Sequence, residues 1–432
     1  MEKKERSSET TISVILMLAL VLVVLGLAIL LAWAKTGGKS VPASISAGKE
    51  PTKETELSIV CVGDIMSHEP QIRAQYDSRD DTYDYNNNFQ YVKPYIEDAD
   101  LALCNVETTF AGKPYTGFPT FSSPDALADA LKTAGFDVGI TANNHMADKG
   151  LEGILKTQKV LKKKGLAVTG SVLEEEDPRF VIQDVKGVKV GIVAFTYETG
   201  SGQGAVSING SVISDEISSR INSFHFNTMQ EDKEKIKAAM DGARAAGAEV
   251  LIVYYHWGEE YQMAANKHQK ELAQATADMG ADMIFASHPH VLQEAEYLTP
   301  NPSGETVSKG EAPKKSAEKP ASGKRVPIFY SMGNFISNQR TETLGKPATE
   351  QGIIARVDLT YSEDDGVKEA TLSGMPTWVD RYYSGGKTVY EIVPLDDQLK
   401  ENQALAASGH LSRARQARED ANETLGFDHE VY

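Results

Sequence analysis

Six short polar motifs each close an apolar run in this chain. They are Gly63-Asp64, Asn105-Val106-Glu107, Asn143-Asn144-His145, His256-Trp257-Gly258, His288-Pro289-His290 and Gly333-Asn334. Asp64 and Glu107 offer hard carboxylate oxygens, and His256, His288 and His290 offer imidazole nitrogens. Asn144 adds a neutral carbonyl oxygen, although Asn143-Asn144 taken alone reads as a turn. Such a mixed set suits one or two ions of Mn, Fe or Zn better than Ca or Mg alone. In extended backbone, residues i and i+2 point the same way. His288 and His290 can then face one metal together, or divide between metal and substrate, with Pro289 stiffening the pair. His145 carries an imidazole, a group that can protonate a leaving oxygen. Asp148 is placed to orient it. Trp257, Glu260 and Asn334 are the candidates for substrate contact. Packing is the other reading of Trp257 and Tyr261, and fixing a histidine tautomer is the other reading of Glu260. His68 is a possible extra ligand. His225, His268, His410 and His429 have no motif around them.

Ligands of open α/β sheets bind beyond the carboxyl ends of the strands, so six such endings imply one shared site. The strands that must carry them are 57–62, 101–104, 138–141, 250–254, 283–286 and 328–330. Ser123-Pro124-Asp125 opens a helix, with Ser as cap and Pro in the first turn, and Gly135 closes it. Further helices are expected over 151–164, 229–246 and 267–279. Residues 180–184 and 188–195 read as a hairpin turning at Lys186-Gly187. The Ser-rich stretch 197–227 reads as irregular, a lid or substrate loop. Residues 353–359 and 367–372 are expected strands of an antiparallel part. The alternation of strands and helices gives an α/β layered sandwich.

The 432 residues are 41% hydrophobic and 24% charged, ordinary for a globular protein. A net charge of −17, with no basic stripe, argues against a nucleic-acid partner. Cys61 and Cys104 are expected to be small buried hydrophobes, the alternative being a bridge between neighbouring strands. The apolar run 12–34 exceeds the ~20 residues that span a bilayer. It is read as a single-pass anchor in the cell membrane after a cytoplasmic tail, 1–11. Ala32-Trp33-Ala34 also resembles a cleavage site. A flexible tether, 35–56, then leads to the main domain, 57–395, expected outside the cell because long downstream domains translocate largely regardless of charge. A disordered insertion at about 300–325 and a polar, charged tail, 396–432, read as unstructured or in part helical, complete the division.

The elements Val62-Gly63-Asp64-Ile65-Met66, Asn105-Val106-Glu107, Ala142-Asn143-Asn144-His145, His256-Trp257-Gly258, His288-Pro289-His290-Val291 and Tyr330-Ser331-Met332-Gly333-Asn334-Phe335 follow one another over 57–378. In that order they resemble the CapA, or poly-γ-glutamate capsule biosynthesis, family of the calcineurin-like metallophosphoesterase superfamily. The resemblance implies a four-layer αββα sandwich. It also implies metal-binding roles for Asp64, Glu107, Asn144, His256, His288 and His290, and a catalytic role for His145. Its partners would be an anionic capsule polymer such as poly-γ-glutamate and membrane synthase subunits. Three functions follow: a metal-dependent hydrolase or transferase, a non-catalytic accessory subunit, or an anchored phosphodiesterase. The superfamily's first motif is usually Asp-x-His, and here the third position is Met66. One metal therefore loses a ligand unless His68 replaces it. Two divalent ions beside Asp64 and Glu107 leave a positive site that attracts carboxylate or phosphate, whereas one ion leaves no such pull.

Overall fold

The computed structural model describes residues 53–200, 204–301 and 323–426. The expected anchor and most of the insertion lie outside these residues. Among the described residues no helix is long and apolar enough to cross a membrane.

The chain begins a first sheet with β1 (Glu54–Ile65), β2 (Leu101–Val106), β3 (Val138–Ile140) and β4 (Ala167–Thr169). Helices α1 (Glu69–Gln75), α2 (Ala126–Ala134) and α3 (Gly150–Lys163) fall between them. A second sheet follows: β5 (Phe180–Val185), β6 (Val188–Tyr197), β7 (Ser223–Phe224), β8 (Val250–His256), β9 (Met283–Ser287), β10 (Ala295–Leu298) and β11 (Val326–Phe329). Its crossovers include α4 (Met229–Ala245) and α5 (Lys267–Asp278). The chain then rejoins the first sheet through β12 (Asn334–Ile336), β13 (Gln351–Ser362), β14 (Gly366–Ser384) and β15 (Lys387–Pro394), and ends in α6 (Gln403–Ser408) and α7 (Leu411–Leu425).

The first sheet runs β15-β14-β13-β1-β2-β3-β4, with β12 beside the end of β1. β1 to β4 are parallel, and β13 to β15 extend the sheet antiparallel. The second runs β7-β6-β8-β9-β11-β10, with β5 on β6. Side chains alternate across each strand, and both faces are buried, as parallel sheets require. Ile59, Cys61, Leu103 and Ile140 meet Ile192, Ile252, Tyr254 and Phe285 between the sheets. Val60, Val62 and Cys104 pack outward on Leu127, Leu131 and Leu161 of α2 and α3. Leu251, Val253 and Tyr255 pack outward on Ile236, Met240 and Leu272 of α4 and α5. The result is the expected α/β sandwich, two facing sheets with helices on their outer faces.

Local chemistry sets several element ends. Asn266 and Gln269 form a capping box at the start of α5. Lys186 and Gly187, both at positive φ, make the tight turn of the β5–β6 hairpin. Cys61 and Cys104 are free and buried. They lie on adjacent strands, but one faces the other sheet and one faces the helices, so no bridge can form.

Three boundaries differ from the sequence reading. Strand β1 starts at Glu54, not 57, because Glu54, Thr55 and Glu56 pair with Ser362, Tyr361 and Thr360 of β13. Ser123 does not cap α2: the N-cap is Asp125, and Ser123 Oγ bonds Thr108 Oγ1. The polar tail folds. Leu405, Ala414 and Ala417 pack on Trp378, Val393 and Leu395, so the domain runs to at least 426 rather than 395.

Candidate metal centre

Strand parity delivers most of the site. Leu101 and Leu103 face the second sheet, so Asn105 and Glu107 inherit that face two and four residues on. Ile252 and Tyr254 do the same for His256. Asp64 is the exception, because Val60 and Val62 face the helices and would carry Asp64 outward with them. The ladder resolves this: Val62 pairs with Cys104, yet Asp64 pairs with Asn105. Gly63 is the extra residue of a β-bulge, which re-aims the side chain that follows. Only glycine fits there. A Cβ on Gly63 would lie 2.1 Å from the Gly333 carbonyl oxygen, to which Asp64 N–H donates at 2.9 Å.

The six strand endings converge. Asp64 Oδ2 lies 2.9 Å from His290 Nδ1, and Asp64 Oδ1 accepts from Asn105 Nδ2 at 2.7 Å. His256 Nε2 is 2.9 Å from Asn144 Oδ1. Glu107 Oε1 is 3.8 Å from His256 Nε2 and 3.8 Å from His290 Nε2. Asn143 donates to Asn105 Oδ1 at 3.1 Å and to the Val106 carbonyl at 2.8 Å, which fixes Asn105. All these side chains are buried.

The electrostatics are unbalanced in one place. Among the described residues, neither oxygen of Glu107 has a hydrogen-bond partner, nor does His288 Nδ1. Burial, reinforced by the neighbouring Asp64, pushes the Glu107 carboxyl well above its usual range. Burial likewise pushes His256 down to about 3 and His288 well below its usual value. Burial would also raise Asp64, but the hydrogen bond and charge of His290 hold it low. A buried carboxylate without donors is costly, and a cation removes that cost. Asp64, Glu107 and His256 each present a ligand atom within 4.8 Å of the others. This group could hold a metal ion.

The His288-Pro289-His290 backbone is not extended, contrary to the sequence reading. Strand β9 ends at Ser287, and His288 and His290 sit at φ of 110° and 58°. Positive φ is strained for non-glycine residues, costing about 1–3 kcal/mol. The turn is pinned from outside by Tyr261 N–H on the Pro289 carbonyl. It leaves the two rings 5.8 Å apart.

His145 Nδ1 lies 2.9 Å from Asp148 Oδ2, and the same oxygen accepts from Phe121 N–H at 2.7 Å. Phe121 sets its ring edge-on to His145 at 4.7 Å. Trp257 is fully buried, stacks on Tyr255 and donates to the Tyr330 carbonyl; it packs and offers substrate no surface. Asn334 is also fully buried. It contacts His290 Nδ1 at 3.1 Å and donates to the Thr349 carbonyl, so it braces His290. Glu260 is exposed in the loop after β8. Burial brings His68 down to about 4, and its Nδ1 accepts from Asn338 N–H at 3.3 Å. Met66 is buried, with Ser337 Oγ 3.6 Å from its sulfur.

Two contributors escaped the sequence reading. Asn105 was part of a motif but had no role assigned; it bridges Asp64 and Asn143. Tyr197, at the end of β6, sets its ring 4.7 Å from His288. Burial, then Glu260 and Glu107, push its phenol above the usual value. Its signal was position alone, since β6 is parallel to β8 with Thr196 opposite His256.

The family described as Bacterial capsule synthesis protein PGA_cap matches residues 58–339, a span containing every residue of the centre. Capsule biosynthesis protein CapA of Bacillus anthracis is 30% identical over 308 residues, 67% of this chain and 62% of that protein. The chain thus covers less than two thirds of that relative's length. PGA biosynthesis protein CapA of Bacillus subtilis (strain 168) is 28% identical over 310 residues, 68% of each chain.

Proposed function

The chain belongs to the bacterial capsule synthesis protein PGA_cap family, within the metallophosphoesterase-like superfamily, and from that premise we propose a membrane-anchored, metal-dependent hydrolase or transferase. It acts on a phosphoester or amide bond during synthesis or export of an anionic capsule polymer such as poly-γ-glutamate. The relatives' roles in capsule and PGA biosynthesis support the polymer class. The observation that carries metal dependence is Glu107, a buried carboxylate with both oxygens unpartnered. The run 12–34, as an anchor, would hold the domain at the outer membrane face.

Asp64, Glu107, Asn144, His256, His288 and His290 are the residues that would hold one or two Mn, Fe or Zn ions. When bound, such an ion serves as a Lewis acid toward a phosphoryl or carbonyl oxygen. The protein supplies the proton chemistry. Asp148 engages Nδ1 of His145, which leaves Nε2 to protonate the departing oxygen. Phe121 keeps the imidazole in that orientation. Tyr197 packs its ring beside His288, at 4.7 Å.

A second reading, a non-catalytic accessory subunit of a membrane synthase or exporter, is favoured by Met66. Its thioether replaces an imidazole, and His68 is engaged elsewhere through Nδ1. Elemental analysis of the purified full chain separates the two readings, with the His288→Ala/His290→Ala variant as control. One to two equivalents of metal, lost in the control, are expected. A folded protein that takes up no Mn, Fe or Zn on incubation would transfer the assignment to the accessory role.

A further inference from the structure

The segment after β12 is stapled to the metal centre. Thr341 N–H donates to Glu350 Oε1 at 2.8 Å, which closes 341–350 into a loop. Within it the Lys346 carbonyl accepts from Thr349 Oγ1 at 2.7 Å. The Thr349 carbonyl accepts from Asn334 Nδ2 at 2.9 Å, and Asn334 Oδ1 lies 3.1 Å from His290 Nδ1. The backbone of Lys346 is thus fixed, through two residues, to a side chain of the centre.

The Lys346 side chain has a support of its own. Tyr261 sits at a φ of 67°, a strained conformation for a bulky residue. Its N–H donates to the Pro289 carbonyl at 2.7 Å, and its ring lies 6.2 Å from that of His290. The Lys346 ammonium stands over the same ring, 5.1 Å from the centroid, within cation–π range. Burial falls step by step along this row. His290 is buried, Tyr261 half-buried and Lys346 exposed, so the row leads from the centre to solvent.

The other charges of the loop are spent. Arg340 holds Glu342, and Arg413 holds Glu342 and Glu350. Glu259 and Glu260, exposed just before Tyr261, do not pair with Lys346. Among the described residues the Lys346 ammonium has neither a hydrogen bond nor an ion pair. A ring face leaves its three N–H donors available to an anion.

We propose that Lys346 is a specificity residue that anchors a second anionic group of the substrate, one unit beyond the bond that reacts at the metal centre. The substrate is then a polyanion, with a carboxylate or phosphate on successive units, and it leaves the centre past His290 and Tyr261. That a bond reacts at the centre rests on the proposed function; anion binding at Lys346 does not require turnover.

Calorimetry on the full chain in detergent micelles, incubated with manganese, tests this. The probes are a γ-linked glutamate tetramer and a glycerol phosphate trimer. Each is compared with a single-anion analogue: the tetramer with all but one carboxyl amidated, and glycerol phosphate itself. At least one polyanion should bind more tightly than its analogue. Lys346→Gln should weaken that polyanion about three- to tenfold, the range for a partly solvated charge contact, and leave the analogue unchanged. Lys346→Arg should restore the affinity, and high salt should erase the difference. Lys346→Gln should keep the metal content and the urea midpoint, because no carboxylate loses its partner. Whichever polyanion responds identifies the group as carboxylate or phosphate. The proposal is overturned if neither polyanion binds, if Lys346→Gln leaves both unchanged, or if it weakens polyanion and analogue equally. If the protein takes up no metal yet a polyanion binds through Lys346, the catalytic reading fails and this one stands. Normal metal uptake with polyanion binding indifferent to Lys346 gives the reverse.

Discussion

Glu107 and Glu350 are carboxylates of equal burial in opposite surroundings. Glu350 spends both oxygens. One accepts from Thr341 N–H and Arg413, the other from Trp378 Nε1 and Arg413. Arg340 closes the group through Glu342, and Arg413 lies over the Trp378 ring. Glu107 has histidines at 3.8 Å and, among the described residues, no hydrogen-bond donor. The first cluster ties α7 to the first sheet and is complete in itself. The second is complete only with something added. Buried charge alone is therefore no guide to function; a buried charge left without partners is.

Three experiments press on that contrast. Glu350→Ala should produce the largest change, because it removes both acceptor oxygens of Arg413 Nη2, the acceptor of Trp378 Nε1 and the 3.9 Å ion pair of buried Arg340, leaving the two arginines only Glu342 among the described carboxylates. Breaking such a buried pair costs about 3–5 kcal/mol, read as a shift in urea midpoint; a loss below about 1 kcal/mol would mean the cluster does not secure the C-terminal helices. Glu107→Gln should behave in the opposite sense. In metal-free protein it should be neutral or stabilise by up to about 2 kcal/mol, since it removes an ionisable group that nothing satisfies. In metal-loaded protein the same change should destabilise, through lost ligand linkage. A large loss in the metal-free form would show that Glu107 has a structural partner after all.

The smallest effect concerns pH. Burial opposes ionisation of Glu342, but its own backbone N–H, Arg340 and Arg413 bring the carboxyl down to about 2. A depressed folded-state value adds stability above the unfolded value, near 4.5, and loses it as pH falls toward 2. Glu342 is about half exposed, so solvent limits the gain to below about 1 kcal/mol. The gap in urea midpoint between wild type and Glu342→Gln should narrow from pH 6 to pH 3. A gap that stays constant would remove Glu342 from the ion-pair network.

The sequence exposed the centre better than it exposed the cluster. Asp64, Glu107 and His256 each follow an apolar run whose length marks a strand, so their convergence could be inferred from one-dimensional pattern. The backbone at His288 and His290 could not, because tertiary contacts such as Tyr261 N–H on Pro289 impose it. Glu350, Arg413 and Arg340 carry no local signal; Arg413 lies 63 residues beyond Glu350, and the three join only through packing. The C-terminal helices were read as a tail for a related reason. Their buried stripe is Ala414, Ala417, Ala421 and Leu425, small residues set among Arg, Glu and Asp. A helix with so little hydrophobic contrast resembles a solvated segment until its partner, Trp378, is in place.

The bulge at Gly63 acts as a frame shift written into three dimensions. Upstream of it, odd positions of β1 read toward the opposite sheet; downstream, the even position Asp64 does. One glycine thus sets which face of the sheet receives the carboxylate, while leaving the hydrophobic alternation before it untouched. The strand can be selected for packing and its last residue for chemistry, with neither requirement constraining the spacing of the other.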